Sequence, residues 1–414
     1  MAPVGAPVSR FKHFRKWGRD LFATVIRAVF TSAGFLAWLT RWRGTGSDRL
    51  VTKKIDKILL IRLDLLGDIF LTLPAVAAIR RRYPDAQMNM LALPYTAPAL
   101  KLFPYVDQVL TFDINRLRPS GDMLNPTHYR DLWRLIRKLR KERYDLCVSF
   151  YGLYAGLLSF LSGSRVRIGY LGEGCPFLFT TPLPGKRYSI RQHEALYNLA
   201  LARAAGASEP AELKPSIPAE TLERVSVLLE EAGVSTDDLL IAFHPGSANG
   251  AAKRWPGWGW ARLAESLTER LGARIVLTGV ASELPLAQDI TRQTSTRLAI
   301  TTGRTSILEA AALLTCCKVL VTGDSAPAHM ASALGVPVVA LYGPTDPAIS
   351  GPYGGRSIVL RKKTGCSPCY DLSNTAECRK TALLCMEAIT PEEVFEAVKE
   401  ILRTPAPAAP GRAA

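Results

Sequence analysis

The sequence predicts an α/β protein with two doubly wound parallel sheets, and three observations support this prediction. Apolar runs of strand length alternate with segments of helical periodicity over residues 57–150. The alternation restarts at residue 239 and continues to residue 345. Between the two blocks, residues 206–220 are rich in proline and small side chains, which is typical of a linker. Alternating strands and helices form parallel sheets, so we expect two similar domains with a cleft between them.

The predicted elements follow from the spacing of apolar residues, which is continuous in buried strands and helical elsewhere. In the first block the predicted strands are 57–63, 88–93, 106–112 and 144–150, and the predicted helices are 69–83, 95–103 and 129–143. In the second block the predicted strands are 239–243 and 274–278, and the predicted helices are 258–271, 284–291, 305–316 and 391–402. Residues 319–345 are predicted to form a strand, a tight turn, a short helix and a second strand.

Length and charge indicate a globular protein that does not bind nucleic acid. The chain has 414 residues, 48% of them hydrophobic, which is enough for a globular protein with an ample core. Residues 1–54 hold eleven Lys/Arg and two Asp/Glu, so they contribute +9 to the formal net charge of +16. This charge lies beside an apolar stripe rather than on a recognition helix, so we expect no nucleic-acid partner.

The amino-terminal segment has the pattern of a helix that lies on a membrane surface. Basic and aromatic residues alternate over residues 11–19, and an apolar stretch interrupted by Arg27 follows. Its uninterrupted part falls short of the roughly 20 residues that span a bilayer. Both flanks are basic and no cleavage site follows, which is unlike a signal peptide. We expect an interfacial helix; a helix packed on the protein's own surface and a spanning anchor are the alternatives.

Residues 319–335 form a candidate phosphate site. Here an apolar strand leads through Gly323, Asp324 and Ser325 into a helix. The first N–H groups of a helix lack intrahelical partners and its dipole makes that end positive, which suits a phosphate or pyrophosphate. Asp324 is expected to cap this helix or to accept hydrogen bonds from a ligand.

Four of the eight cysteines are clustered with the spacing C-x2-C-x8-C-x6-C. They are Cys366, Cys369, Cys378 and Cys385. The spacing is compatible with a structural zinc site, with two disulfides or with reduced thiols in a compact loop. The other cysteines lie in or near apolar runs and are predicted to be small core residues.

Four motifs follow one another along the chain: residues 61–75 with their Gly-Asp turn, 243–247 together with 253–256, 323–335, and 341–347. In this order and spacing they resemble glycosyltransferase family nine, the bacterial ADP-heptose:lipopolysaccharide heptosyltransferases. The four clustered cysteines are also similar to many members. The resemblance covers roughly residues 55–402 and leaves the basic amino terminus outside.

The resemblance implies a GT-B architecture and an inverting, metal-independent sugar transfer. It implies an acceptor-side domain at 55–210 and a nucleotide-sugar domain at 211–404. From composition we expect a basic membrane-surface segment at 1–54 and a disordered tail at 405–414. The implied donor is a nucleotide-diphosphate sugar, with ADP-heptose expected, and the implied acceptor is a lipid-linked glycan of the lipopolysaccharide type. The implied location is the cytoplasmic face of the inner membrane, where the protein is bound peripherally to an anionic surface. No cofactor is implied for catalysis, although a structural zinc is compatible with the cysteines.

The family motifs assign roles to individual residues. By similarity Asp68 is the base that takes the acceptor proton; its alternative role is to cap the following helix, and Asp64 is the second candidate base. Lys253 matches the lysine that contacts the donor phosphates. The other donor-binding residues by similarity are Gly246, Ser247, Asp324, Ser325, Ala326 and His329. Members commonly have Thr-Gly at positions 325 and 326, so the added methyl of Ala326 alters the close approach there.

Two other functions compete with heptose transfer. The same fold could use a different nucleotide-sugar, or the chain could be a non-catalytic, membrane-associated nucleotide-binding module. The basic helix at 129–143 is predicted to be a solvated face, or alternatively a surface that holds the enzyme against anionic lipid or a phosphorylated glycolipid. Its basic residues are Arg130, Arg134, Arg137, Lys138, Arg140, Lys141 and Arg143.

Overall fold

The computed structural model describes residues 54–117, 125–173, 176–185, 187, 191–207, 212–248, 250–370, 378 and 383–403. The predicted interfacial helix at 11–43 and the tail at 405–414 lie outside these residues. Two six-stranded sheets, each parallel throughout, confirm the predicted α/β fold class.

The first sheet has the strand order β3-β2-β1-β4-β5-β6. Its strands are β1 Lys57–Arg62, β2 Gln87–Ala92, β3 Gln108–Thr111, β4 Leu146–Ser149, β5 Val166–Tyr170 and β6 Thr181–Leu183. Its helices are α1 Leu66–Arg82, α2 Ala97–Leu100, α3 Pro126–Glu142, α4 Leu153–Leu161 and α5 Glu194–Ala204. The interior of β1 is fully buried because helices cover both faces of the sheet, which is why the strand reads as a continuous apolar run.

The second sheet repeats this order as β12-β11-β10-β7-β8-β9. Its strands are β7 Leu240–His244, β8 Arg274–Leu277, β9 Ala299–Ile300, β10 Val319–Gly323, β11 Val338–Tyr342 and β12 Ser357–Arg361. Its helices are α6 Ala219–Glu231, α7 Gly257–Leu271, α8 Leu284–Arg292, α9 Ile307–Cys316, α10 Ala326–Leu334, α11 Pro347–Ser350, α12 Leu384–Glu387 and α13 Pro391–Arg403.

Apolar packing joins the two sheets. One buried cluster runs from α1 and α5, which cover the first sheet, to α9 and α10, which cover the second. Separate clusters lie on the outer faces, under α3 and α4 on one sheet and under α7, α8 and α13 on the other. The helices that carry the predicted site residues therefore belong to the shared core and are held firmly by packing.

The structure also differs locally from the predicted elements. The predicted helix at 95–103 is reduced to the four residues of α2, in a segment with prolines at 94, 98 and 104 that interrupt helical hydrogen bonding. Residues 153–184, for which no element was predicted, form α4, β5 and β6. Within the described residues, no helix is long and apolar enough to cross a membrane.

Candidate active site

The predicted site residues lie at the points where the strand order of each sheet reverses. This happens between β1 and β4 in the first sheet and between β7 and β10 in the second. Doubly wound sheets bind ligands outside the carboxyl ends of the strands at such points. Asp68 follows β1, Lys253 follows β7 and Asp324 follows β10. Strand order therefore brings the predicted catalytic and phosphate-binding side chains to the edges where ligands are expected.

Asp68 lies in the first turn of α1 and is buried, with 8% of the residue exposed. Its alternative role as the helix cap is wrong, because the N-cap position is Leu65 and the helix begins at Leu66. Oδ1 of Asp68 instead accepts a hydrogen bond from Nη2 of Arg187 and lies 3.3 Å from Nη2 of Arg62. The carboxylate is thus directed at two guanidinium groups.

These groups belong to a buried arginine–carboxylate cluster of Arg62, Arg187, Asp64, Asp68 and Glu194. Arg187 donates through Nη1 to Asp64 at 2.8 Å and through Nε to Glu194 at 2.7 Å. Arg62 is fully buried and its Nη2 donates to Glu194 at 3.1 Å. A buried charge is tolerated when it is paired and hydrogen-bonded, and this cluster pairs both arginines with carboxylates. Sequence analysis missed Arg62, Arg187 and Glu194.

The cluster separates the pKa values of its two aspartates. Burial alone would raise the pKa of both carboxyl groups. At Asp68 the positive charges of Arg187 and Arg62 outweigh burial and lower the pKa. At Asp64, burial and the negative charge of Asp68 raise the pKa to about 6. Asp68 is therefore ionised and able to accept a proton, and Asp64 is protonated first as the pH falls.

Asp64 should make stability depend on pH in a definite direction. Its pKa in the folded state is raised to about 6, so the folded protein binds a proton that the unfolded chain has released. The resulting stabilisation is complete below the usual aspartate pKa and is lost as the pH rises through about 6. We expect the melting temperature of wild type, relative to Asp64→Asn, to fall between pH 4.5 and 7 (roughly the titration window). A constant difference across this range would contradict the assignment.

Lys253 occupies the second half of the site. It ends the short 3₁₀ turn Ala251–Lys253 after β7 and is 8% exposed. Its Nζ donates to Oδ2 of Asp324 at 2.7 Å and lies 4.2 Å from the centroid of the Tyr370 ring. The other oxygen of Asp324 accepts a hydrogen bond from the Tyr342 hydroxyl at 3.3 Å. These contacts hold the ammonium group just before the amino end of α10.

The amino end of α10 has no side-chain cap. Its N-cap residue is Ser325 rather than Asp324, and the Ser325 hydroxyl pairs with that of Thr322 at 2.8 Å. Ala326 begins the helix, and His329 lies about one turn further on, 6% exposed. Burial lowers the pKa of His329, although the charges of Asp324 and Asp68 act in the opposite direction. The ring is therefore neutral, and its Nδ1 has no hydrogen-bond partner among the described residues.

Gly246 and Ser247 lie in the loop that follows β7, beside a buried carboxylate. A Cβ at Gly246 would lie 1.9 Å from Oε1 of Glu283, so a side chain at this position would displace Glu283. Glu283 is 8% exposed and its Oε2 accepts a hydrogen bond from the Val280 N–H at 3.0 Å. Sequence analysis missed Glu283, because nothing in its surroundings in the sequence distinguishes it from a surface glutamate.

The two halves of the site meet at Gly67 and His329. A Cβ at Gly67 would lie 2.9 Å from Cδ2 of His329 and 3.5 Å from Cα of Ala326, so α1 and α10 are in close contact. Nearby, Nε2 of His193, at the start of α5, lies 3.1 Å from the carbonyl oxygen of Gly351. Asp68, one residue after Gly67, therefore lines the same crevice as the start of α10.

The clustered cysteines lie around Cys385, and Cys369 directly precedes Tyr370, whose ring contacts Lys253. Burial and the nearby thiols of Cys369, Cys366 and Cys378 raise the pKa of Cys385. Within the described residues, five cysteines are free thiols: Cys147, Cys316, Cys317, Cys366 and Cys385. Across the described ranges, no group of three or more His, Cys, Asp or Glu side chains is arranged to hold a metal ion. The predicted structural zinc therefore has no support from this geometry.

Two Rossmann-like sheets, with Asp68, Lys253 and Asp324 following the strands at which the strand order reverses, form a GT-B-like fold. The model of glycosyltransferase family 9 (heptosyltransferase) matches residues 132–380, more than half of the chain. The chain belongs to glycosyltransferase family 9, and it is a glycosyltransferase enzyme.

Curated relatives and solved structures agree with this assignment. The chain is 28% identical to lipopolysaccharide heptosyltransferase 2 of Salmonella typhimurium over 360 residues, covering 84% of this chain and 98% of the relative. It superposes on the Escherichia coli ADP-heptose lps heptosyltransferase II with a TM-score of 0.65 and 26% identity, covering 84% and 98%. It also superposes on E. coli heptosyltransferase WaaC with ADP-2-deoxy-2-fluoro heptose, with a TM-score of 0.63 and 19% identity, covering 83% and 99%.

Proposed function

We propose that the protein is an inverting transferase that moves heptose from ADP-heptose to a lipid-linked glycan of the lipopolysaccharide type. The observation that carries this proposal is that a carboxylate and positively charged groups line the same crevice. Ionised Asp68 is on one side, and Lys253 with the uncapped start of α10 is on the other. The similar heptosyltransferases, one of them bound to an ADP-heptose analogue, support the choice of donor and acceptor.

In the proposed reaction, Asp68 accepts the proton of the acceptor hydroxyl as that oxygen attacks the anomeric carbon of the donor. A bond forms between this oxygen and the anomeric carbon, and the bond from that carbon to the phosphate oxygen breaks. The electron pair of the broken bond leaves with the nucleotide diphosphate. Lys253 and the amino end of α10 then stabilise the charge on the diphosphate. Attack from the face opposite the leaving group inverts the anomeric centre.

The remaining residues of the site position the two substrates. In this proposal residues 55–210 bind the acceptor and residues 211–404 bind the nucleotide-sugar. Gly246 contacts the donor through its backbone, and Ser247 and Ser325 provide hydroxyl groups. Asp324, two residues before Ala326, accepts hydrogen bonds from the donor once the phosphates bind Lys253. His329, neutral and with Nδ1 unpartnered among the described residues, contacts the phosphate or the sugar.

We infer that the enzyme works at the cytoplasmic face of the inner membrane, bound peripherally, because its proposed acceptor is anchored in lipid and residues 1–54 are strongly basic. Transfer is proposed to need no cofactor, since a lysine and a helix terminus meet the charge of the leaving group. A structural zinc held by Cys366, Cys369, Cys378 and Cys385 stays a prediction that metal analysis of the purified protein checks.

A transfer assay with purified full-length protein tests the proposal. ADP-heptose and a heptose-deficient lipopolysaccharide acceptor should yield ADP and an acceptor heavier by one heptose. Chelation with EDTA should leave the initial rate unchanged. ADP should stabilise the protein against thermal unfolding more than uridine or guanosine diphosphate does. Stronger stabilisation by uridine diphosphate, with no ADP released in the assay, would instead support a different nucleotide-sugar.

A further inference from the structure

Helix α3 presents an outward face that carries aromatic and basic side chains together. Leu135 and Leu139 are buried against the first sheet. With 100° per residue, the arc opposite them carries aromatic and basic residues, apart from Pro126 and Thr127 in the first turn. This outward face consists of Tyr129, Arg130, Trp133, Arg134, Arg137, Arg140 and Lys141, all of them exposed. Tyr129 is 48% exposed and Trp133 56%, which is unusual for side chains of this size.

The acidic residues of α3 lie outside this face and are already paired. Asp131 and Glu142 are on the flank of the helix and half-buried. Asp131 contacts Arg134 at 3.3 Å, and Glu142 accepts a hydrogen bond from Lys57 at 2.8 Å. On the outward face the guanidinium group of Arg137 stacks on the Trp133 ring, 4.2 Å from its centroid. The face thus combines a strong positive charge with an exposed indole.

The topology relates this face to the active-site crevice. In a parallel sheet a helix runs antiparallel to the strands, so its amino end lies at their carboxyl ends. The first turns of α3, with Tyr129 and Trp133, therefore lie at the same edge of the sheet as Asp68. A surface that contacts this part of α3 meets the edge at which the proposed acceptor enters.

We infer that the outward face of α3 docks the enzyme on an anionic lipid bilayer. Charge complementarity favours this partner, because seven residues without an acidic group among them face outward along one helix. The aromatics favour a bilayer over an isolated phosphate group, since Trp and Tyr partition into the interfacial layer between headgroups and acyl chains. The inference rests on the proposed function, because docking there would turn the acceptor domain toward a lipid-anchored acceptor.

Hydroxyl-radical footprinting of the full chain tests this docking surface. Trp258 on α7 is the internal control, because it is 48% exposed and its helix carries charges of both signs. Bound to vesicles that contain phosphatidylglycerol and cardiolipin, Trp133 should lose oxidation by about threefold or more, while Trp258 changes little. Arg130→Gln combined with Arg137→Gln should reduce this protection; Arg262→Gln on α7 should leave it unchanged.

Two outcomes would overturn the inference. One is a full chain that sediments with the anionic vesicles while Trp133 and Trp258 are oxidised as in solution, since another segment would then make the contact. The other is a full chain that does not bind these vesicles. Footprinting needs neither donor nor acceptor, so either outcome leaves the proposed sugar transfer intact. Conversely, if Trp133 is protected but the protein transfers no heptose, the proposed function is contradicted and the docking surface is not.

Discussion

Replacing Asp68 by Asn is expected to lower kcat for sugar transfer by roughly 10²- to 10⁴-fold, the usual contribution of a general base. The side chain keeps its size but can no longer accept the proton of the acceptor hydroxyl. Donor affinity should change little, because the predicted phosphate-binding groups belong to the second sheet. Initial rates and ADP binding, measured on the same preparation, separate these effects.

Asp64→Asn is the matched control for this variant, because Asp64 belongs to the same cluster and also pairs with Arg187. The pKa of Asp64 is raised to about 6, whereas that of Asp68 is lowered. Only Asp68 is therefore ionised over the whole pH range in which the reaction needs a base. We expect Asp64→Asn to retain most of the activity. If Asp64→Asn removed activity and Asp68→Asn did not, Asp64 would be the base.

The same cluster limits the basicity of Asp68 as long as no acceptor is bound. Arg187 pairs with Asp68, and a carboxylate with a lowered pKa is a weaker proton acceptor. A bound acceptor hydroxyl has to compete with this guanidinium for Asp68. Arg187 also pairs with Asp64 and Glu194, so it has other partners when Asp68 turns to the acceptor.

The parts of this protein that sequence analysis predicted well are those in which local pattern and fold coincide. The run at 57–63 is apolar because β1 is buried on both faces, and the observed strand is Lys57–Arg62. Asp68, Lys253 and Asp324 are predicted from family motifs, and each of these residues follows a strand next to the point where the strand order of its sheet reverses. Strand order then brings Lys253 and Asp324 into contact, although they are 71 residues apart in the sequence.

The features that could not be predicted depend on contacts between residues that are far apart in the sequence. Arg187 lies 119 residues from Asp68, on a segment without periodicity, and nothing local indicates its role. Arg62 does carry a local signal, since an arginine at the end of a buried strand requires buried carboxylates as partners. The sequence predicts that α1 begins at residue 69, because Gly67 and Asp68 resemble a turn and a cap. The helix begins at Leu66 instead, with Leu65 at the N-cap and no side-chain capping bond.

Replacing Lys253 by Met is expected to impair both sugar transfer and stability. Loss of a charge that stabilises the departing diphosphate should lower kcat by roughly 10²- to 10³-fold, as with other groups that stabilise developing negative charge. Asp324, 9% exposed, would lose its ion pair, and breaking a buried pair from one side costs about 3–5 kcal/mol in the free energy of unfolding. Steady-state kinetics and chemical denaturation measure the two losses.

The double variant Lys253→Met with Asp324→Asn separates the two roles. It removes the uncompensated carboxylate, so most of the lost free energy of unfolding should return, with the Tyr342 hydroxyl still able to bond the amide. Transfer should stay low, because no ammonium group reaches the diphosphate. Recovery of transfer together with stability would show that Lys253 serves only to neutralise Asp324, and the charge on the leaving group would then have to be met by the amino end of α10 alone.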